Sequence, residues 1–205
     1  ALIGAAYFCR QRADKAAAEY LEQYADFLES HIDAWTVTTE GTLVPGIRRH
    51  YIRIRPDDVD NPDPAEDPNS GILKIANLAP GTQNSFPAKE VVDAGFLELV
   101  RYGIRKPNDP IIVDSLKVVD VVLKVDTPMG PVWRRYNHDG YGQRGNGGPY
   151  VGWGQGRAWP LLTGERAHFE LAAGRDVKLF IRAIEGFASA TGLLPEQVWD
   201  EKDKP

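Results

Sequence analysis

Apolar residues recur at helical spacing over much of the chain and give way to long polar stretches between. Within residues 1–31, which are rich in alanine, Ala17, Leu21, Tyr24, Ala25 and Leu28 fall three and four apart, predicting one helix with an apolar stripe. Residues 87–102 predict a second, opened by Ser85 and Pro87 and carrying Val91, Ala94, Leu97 and Val100. A third starts at Asp109-Pro110, an N-cap followed by proline in the first turn, and runs to about Lys124. Its valines and isoleucines would also suit a buried strand. Pro160 opens a fourth helix that Gly174 can close, and residues 176–190 form a fifth closed by Gly192.

Between the first two helices lies a loop region of about fifty residues. In it Ala34-Trp35-Thr36-Val37-Thr38-Thr39 and His50-Tyr51-Ile52-Arg53-Ile54-Arg55 alternate in the strand period, with Glu40-Gly41 as a turn. These predict a small hairpin on a helical body. No linker divides the chain and no repeat of solenoid period occurs, so a single domain is expected. Loops this long in a compact domain usually carry function.

Composition adds exclusions. The chain has 205 residues, 42% hydrophobic and 26% charged, enough for one sizeable core. A net charge of −5 and a pI near 5.4 disfavour a partner held by its phosphates, and no nucleic acid is expected. One cysteine, Cys9, excludes a disulfide framework within the chain and leaves the compartment open. No apolar run approaches the length that spans a bilayer, so no membrane partner is expected. The start, Ala1-Leu2-Ile3-Gly4, lacks the basic flank of a signal peptide, so either the mature protein begins there or an upstream segment is removed.

The chemistry concentrates between Trp133 and Trp159. Three tryptophans, the pair Arg134-Arg135, Asp139 and repeated glycines share this stretch. An indole face packs on the apolar face of a sugar ring, while a guanidinium fork and a carboxylate take its hydroxyls. The loop from Gly140 to Pro149 can fold tightly beneath such a site, because glycine accepts backbone angles that side chains forbid. A carbohydrate site is the first reading. Other features are bland. The run Asp57, Asp58, Asp60, Asp63, Glu66 and Asp67 could hold a structural calcium but lacks EF-hand spacing, and a solvated acidic loop is the better reading. His31, His50, His138 and His168 show no metal-ligand spacing with each other or with Cys9, so no metal site is assigned. The glycines at 140–148 lack the Gly-Lys-Ser/Thr of a phosphate loop, and no serine nucleophile elbow occurs.

Three segments in order carry a family resemblance: Arg135-Tyr136-Asn137-His138-Asp139-Gly140-Tyr141-Gly142, Trp159-Pro160-Leu161-Leu162-Thr163-Gly164-Glu165-Arg166, and Leu194-Pro195-Glu196-Gln197-Val198-Trp199-Asp200. With Val92-Asp93-Ala94-Gly95-Phe96-Leu97-Glu98-Leu99-Val100-Arg101 they cover nearly the whole chain and resemble the prokaryotic branch of glycoside hydrolase family 15, the glucoamylases and glucodextranases. The resemblance implies an all-α fold, part of an (α/α)6 toroid with long loops, to which the small β-hairpin is an insertion. Five predicted helices are not twelve, so residues 1–205 are expected to be the C-terminal portion of a single catalytic domain. The family's Trp-Glu-Glu motif, which holds the general acid, occurs nowhere in this sequence; by comparison Ala1 would follow shortly after it.

The resemblance also implies roles. Glu196 takes that of the general base of an inverting hydrolysis, with Pro195 stiffening its approach and Trp199 partly shielding it. The competing reading is an exposed glutamate in the first turn of a helix. Arg135 and Asp139 resemble the pair that binds sugar hydroxyls, for which a surface ion pair is the plain alternative. Trp159 resembles the aromatic wall against the released glucosyl ring. Tyr136 and His138, between the Arg and the Asp, are further substrate-binding candidates. Glu165 and Arg166 are read as structural. The implied activity is an exo-acting α-glucosidase releasing β-glucose from α-glucans, without a cofactor and with the rest of its catalytic domain as partner. A catalytically inactive carbohydrate- or protein-interaction module of the same fold, or a trehalose hydrolase, stays open as an alternative.

Overall fold

The computed structural model describes residues 1–54 and 67–201. Most of the acidic run, Asp57 to Glu66, lies outside them. The stripe over residues 1–31 proves to be two helices, α1 (Leu2–Gln11) and α2 (Lys15–Thr36), packed as a hairpin. Ala13 adopts a left-handed φ of 60° and Asp14 caps α2, its Oδ1 accepting from Ala17 N at 3.1 Å. A capping aspartate satisfies an orphan N–H and so favours a new helix start over continuation.

α2 continues through Thr36 and absorbs half of the expected hairpin. What remains is β1 (Val37–Thr38) antiparallel to β2 (His50–Tyr51), with Val37 opposite Tyr51. Residues 41–49 form a closed loop, Gly41 N donating to Arg48 O at 2.8 Å, in place of a tight turn at Glu40-Gly41.

The second expected helix is mostly absent. Residues 87–102 instead contain the end of β4 (Ser85–Pro87), paired with β3 (Ile72–Lys74), a 3-10 turn over Ala88–Glu90, and a short α3 (Leu97–Arg101). The fully buried, β-branched Val91 and Val92 are extended because other segments take their backbone groups. Val91 O accepts from Arg53 N, and Val92 N donates to Asn137 Oδ1, both at 2.8 Å. Tertiary partners outcompete the helical pattern over these residues.

The remaining helices follow their local signals more closely. Asp109 caps α4 (Pro110–Val122), which buries Ile111, Ile112, Val118 and Val119 and resolves the helix-or-strand ambiguity in favour of helix. Pro160 opens α5 (Pro160–Ala172), and Gly174 follows with φ 72°. α6 (Lys178–Phe187) ends earlier than expected; Gly192 belongs to a separate turn in which Ser189 N donates to Leu193 O.

One sheet lies where a loop was expected. β5 (Lys124–Thr127), β6 (Gly130–Arg134) and β7 (Ala158–Trp159) are antiparallel in the order β5-β6-β7. Trp133 on β6 faces the main core with Phe96, Leu97, Val119, Leu123 and Phe169. A smaller core of Leu73, Ile75, Val91 and Tyr136 fastens the β3–β4 hairpin beneath the residues that follow β6.

Candidate active site

The chain leaves β6 at Arg134 and turns immediately. His138 takes a left-handed φ of 65°, which brings Asp139 back beneath Arg135. The pair is bidentate, Nε to Oδ2 at 2.8 Å and Nη2 to Oδ1 at 3.0 Å. The Asp139 side chain is 0% exposed and that of Arg135 33%, so this is not the surface pair of the plain alternative. Asp139 Oδ1 also accepts from Tyr141 N at 2.9 Å and from Asn77 Nδ2 at 3.3 Å. Gly140 is required here, because a Cβ would sit 1.8 Å from the Asn77 carbonyl oxygen.

Burial works against the charge on Arg135, and the Asp139 carboxylate more than offsets it, holding the guanidinium above its ordinary pKa. A planar fork fixed on one edge keeps its other donors free for a ligand. The guanidinium carbon lies 4.9 Å from the Trp159 ring centre and 5.0 Å from that of Tyr141.

Trp159 closes β7 and precedes Pro160, opposite Trp133 in the sheet. Its ring is tilted 37° to Tyr141 at 6.1 Å. Its shielded indole Nε1 has no hydrogen-bond acceptor among the described residues. An unmatched buried donor costs about 1–3 kcal/mol, so a hydroxyl accepting from it would be held favourably.

Glu196 reaches the same place from the far end of the chain. It stands at a bend in a non-helical segment, not at a helix start, and it is exposed. Val198 N donates to Ala158 O at 2.9 Å in an antiparallel bridge, which lays the segment beside β7. Tyr141 then grips it twice. Its hydroxyl donates to Glu196 Oε2 at 3.4 Å, and its carbonyl accepts from Gln197 Nε2 at 3.3 Å. A shallow cavity of about 240 Å³, lined by Tyr141, Gln143, Pro149, Tyr150 and Glu196 among others, opens there. Trp199 lies against the Arg157 guanidinium, 3.9 Å from ring centre to Cζ.

Of the residues singled out in the sequence, Arg135, Asp139, Trp159 and Glu196 thus gather around Tyr141. His138 faces other neighbours, whereas Tyr136 adjoins the site, its ring centre 5.3 Å from the Arg135 guanidinium carbon. Tyr136 is buried in the small core with Arg53 stacked on it at 3.9 Å. The His138 ring stacks on Phe86 at 3.8 Å, and burial pushes its pKa down. Glu165 is half-buried; burial, then the charge of Glu98, push its carboxyl pKa up. Arg166 joins α5 to α4 through Asp120, its Nη2 donating to Oδ2 at 2.9 Å. Among the described residues no group of three or more His, Cys, Asp or Glu side chains could hold a metal ion, and no helix is long and apolar enough to cross a membrane. Sequence reasoning missed Asn77 and Tyr141. Tyr141 had a signal, standing in the Gly-rich loop two places beyond Asp139; Asn77 lies 62 positions from its partner and had none.

The family model of the glycosyl hydrolases family 15 matches residues 1–205. A glucoamylase from Clostridium sp. (strain G0005) is 44% identical over 204 residues, covering 100% of this chain and 27% of its own length. A crystal structure of a bacterial glucoamylase complexed with acarbose superposes with a TM-score of 0.85 at 44% identity, over 98% of this chain and 28% of that one. The chain therefore spans little more than a quarter of the relatives it matches. Its mostly helical body with small antiparallel sheets is part of their (α/α)6 toroid, as the resemblance implied. From its sequence, its fold and these matches, the chain belongs to glycoside hydrolase family 15.

Proposed function

We propose that this chain is the C-terminal part of the catalytic domain of an inverting, exo-acting α-glucosidase of glucoamylase type, which releases β-glucose from the non-reducing ends of α-glucans. The observation that carries the reading is the convergence of Arg135, Trp159 and Glu196, from three separate segments, on Tyr141. The acarbose bound to the structural relative supports an oligosaccharide as ligand.

In this reading the Trp159 ring packs against the sugar, and the free edge of the Arg135 fork donates to its hydroxyls. Asp139 contributes by orienting that fork, since both its oxygens are occupied by protein donors. Glu196 accepts a proton from water as the water oxygen bonds to the anomeric carbon. The glycosidic bond breaks on the opposite face, and its oxygen takes a proton from the general acid. Such a pair of carboxyl groups stands roughly 6.5–9.5 Å apart, leaving room for the water. The acid is assigned to a segment outside these 205 residues, together with the remaining helices of the domain. No cofactor takes part.

The test is Glu196→Gln in the full-length protein. The amide keeps the shape but accepts no proton from water, so kcat should fall by orders of magnitude while KM changes little. Azide, which needs no base, should restore turnover to Glu196→Ala and yield a glucosyl azide of inverted configuration. Near-normal turnover of Glu196→Gln, or azide rescue at Glu165→Ala in its place, overturns the assignment.

A further inference from the structure

A buried arginine, a partly exposed one and a buried carboxylate lie behind the candidate site and take no part in it. The Asp200 side chain is 0% exposed; its Oδ2 accepts from Arg134 Nε at 2.7 Å and its Oδ1 from Arg157 Nη1 at 2.8 Å. Arg157 is itself 2% exposed. It donates further to Glu201 Oε1 at 2.9 Å and to the carbonyls of Gln143 and Arg144, both at 3.2 Å. Trp199 covers the plane of its guanidinium.

The chain positions give this cluster its meaning. Asp200 lies four residues beyond Glu196, in the segment that Val198 bridges to β7. Arg157 lies two residues before Trp159, and Arg134 immediately before Arg135. The carbonyls that Arg157 holds belong to the loop that carries Tyr141. We infer that Asp200, through Arg157 and Arg134, is the positioning residue of Glu196, locking the segment that carries it onto β6 and β7. The inference rests on the reading of Glu196 as base.

The physical argument is one of geometry. Glu196 is exposed, and its own side chain has one long hydrogen bond, to Tyr141. Little at the carboxylate itself sets its place, so its segment must be held from behind. A buried ion pair is a poor source of net stability, because desolvation offsets its attraction, but its planar, bidentate-capable fork fixes distance and orientation. A catalytic group needs placement to within about half an ångström. The Asp200 network places one end of the segment and Tyr141 the other.

A kinetic cycle in the full-length protein separates positioning from bulk stability. Asp200→Asn keeps the shape and removes the charge. It should lower kcat more than tenfold with Glu196 present, yet leave the azide-supported rate of Glu196→Ala within twofold, since azide attack does not use the carboxylate. Arg134→Met, whose parent side chain is one-third exposed, should show the same pattern with a smaller loss and serves if Asp200→Asn fails to fold. An equal fold-loss in both backgrounds makes the network merely structural and overturns the inference, as does unchanged kcat. If azide does not rescue Glu196→Ala, the base assignment falls and this inference with it. Rescue together with an equal loss removes the inference alone.

Discussion

The two ends of this chain are held together in opposite ways. From α4 onward, several ion pairs are wholly or partly buried: Asp139 with Arg135, Asp200 with Arg134 and Arg157, and Asp120 and Glu170 with Arg166. In the α1–α2 hairpin, Arg10 meets Glu22 at the surface, and the aromatic side chains lie outward. Tyr20 is 66% exposed and Phe8 64%, and Tyr20, Tyr24, Phe27, His31 and Trp35 stack on one another along α2. A region that satisfies its polar groups internally can keep its shape alone, whereas an uncovered apolar face calls for a neighbour. The ion-paired network behind the candidate site belongs to the first kind, and the outward aromatic face of α2 belongs to the second.

The sharpest break in this comparison is activity itself. The 205-residue chain alone should hydrolyse no glucan measurably, since leaving-group protonation by itself contributes about 10²–10⁴-fold. It should also self-associate through α1 and α2 in sedimentation, and Tyr20→Ser with Phe27→Ser should return it toward a monomer. Robust glucose release by the purified chain, with contaminating enzyme excluded, would remove the proposal of an acid supplied from elsewhere.

Within the buried region, Arg135→Lys in the full-length protein should cost about 10–100-fold in kcat/KM, although the charge is kept. An ammonium cannot hold Asp139 with two donors and keep a planar edge for the ligand. Wild-type kinetics would show that the fork is not used. Trp159→Ala should weaken binding of acarbose by about 1–2 kcal/mol, measured by calorimetry, through loss of one ring face and one indole donor. Unchanged affinity would place the ligand elsewhere.

The smallest effect lies at Glu165, on α5. Its carboxyl titrates higher in the folded chain than in the unfolded one, so folding favours the protonated form. That contribution is present below the ordinary glutamate range and is lost as pH rises through the folded value. Glu165→Gln should therefore raise Tm at pH 7 by roughly 1–3 °C and change it little near pH 4. A lower Tm at pH 7 would mean that Glu165 makes a favourable contact as a carboxylate.

Legibility followed the range of the interaction. Helix ends written in one or two residues, such as Asp109-Pro110, Pro160 and Gly174, were readable because capping and φ restriction act within a turn. The helical stripe over residues 87–102 misled, because the backbone groups of Val91 and Val92 are claimed by Arg53 and Asn137, far away in the chain. For the same reason β5 and β6 were hidden. Trp133 and Arg134 read there as chemistry and serve as core and lock.

The sequence by itself determined the family, the four-residue step from Arg135 to Asp139, and the residue types that hold a sugar. These depend on local order and on the chemistry of side chains, which a string preserves. The tertiary structure alone decided that Asp139 is sealed beneath Arg135 by Asn77, and that Tyr141 spans from Trp159 to Glu196. It also decided that Asp200 is shared by two arginines. Those are distances between segments tens of residues apart, set when the sheet and cores close, and no spacing along the chain encodes them.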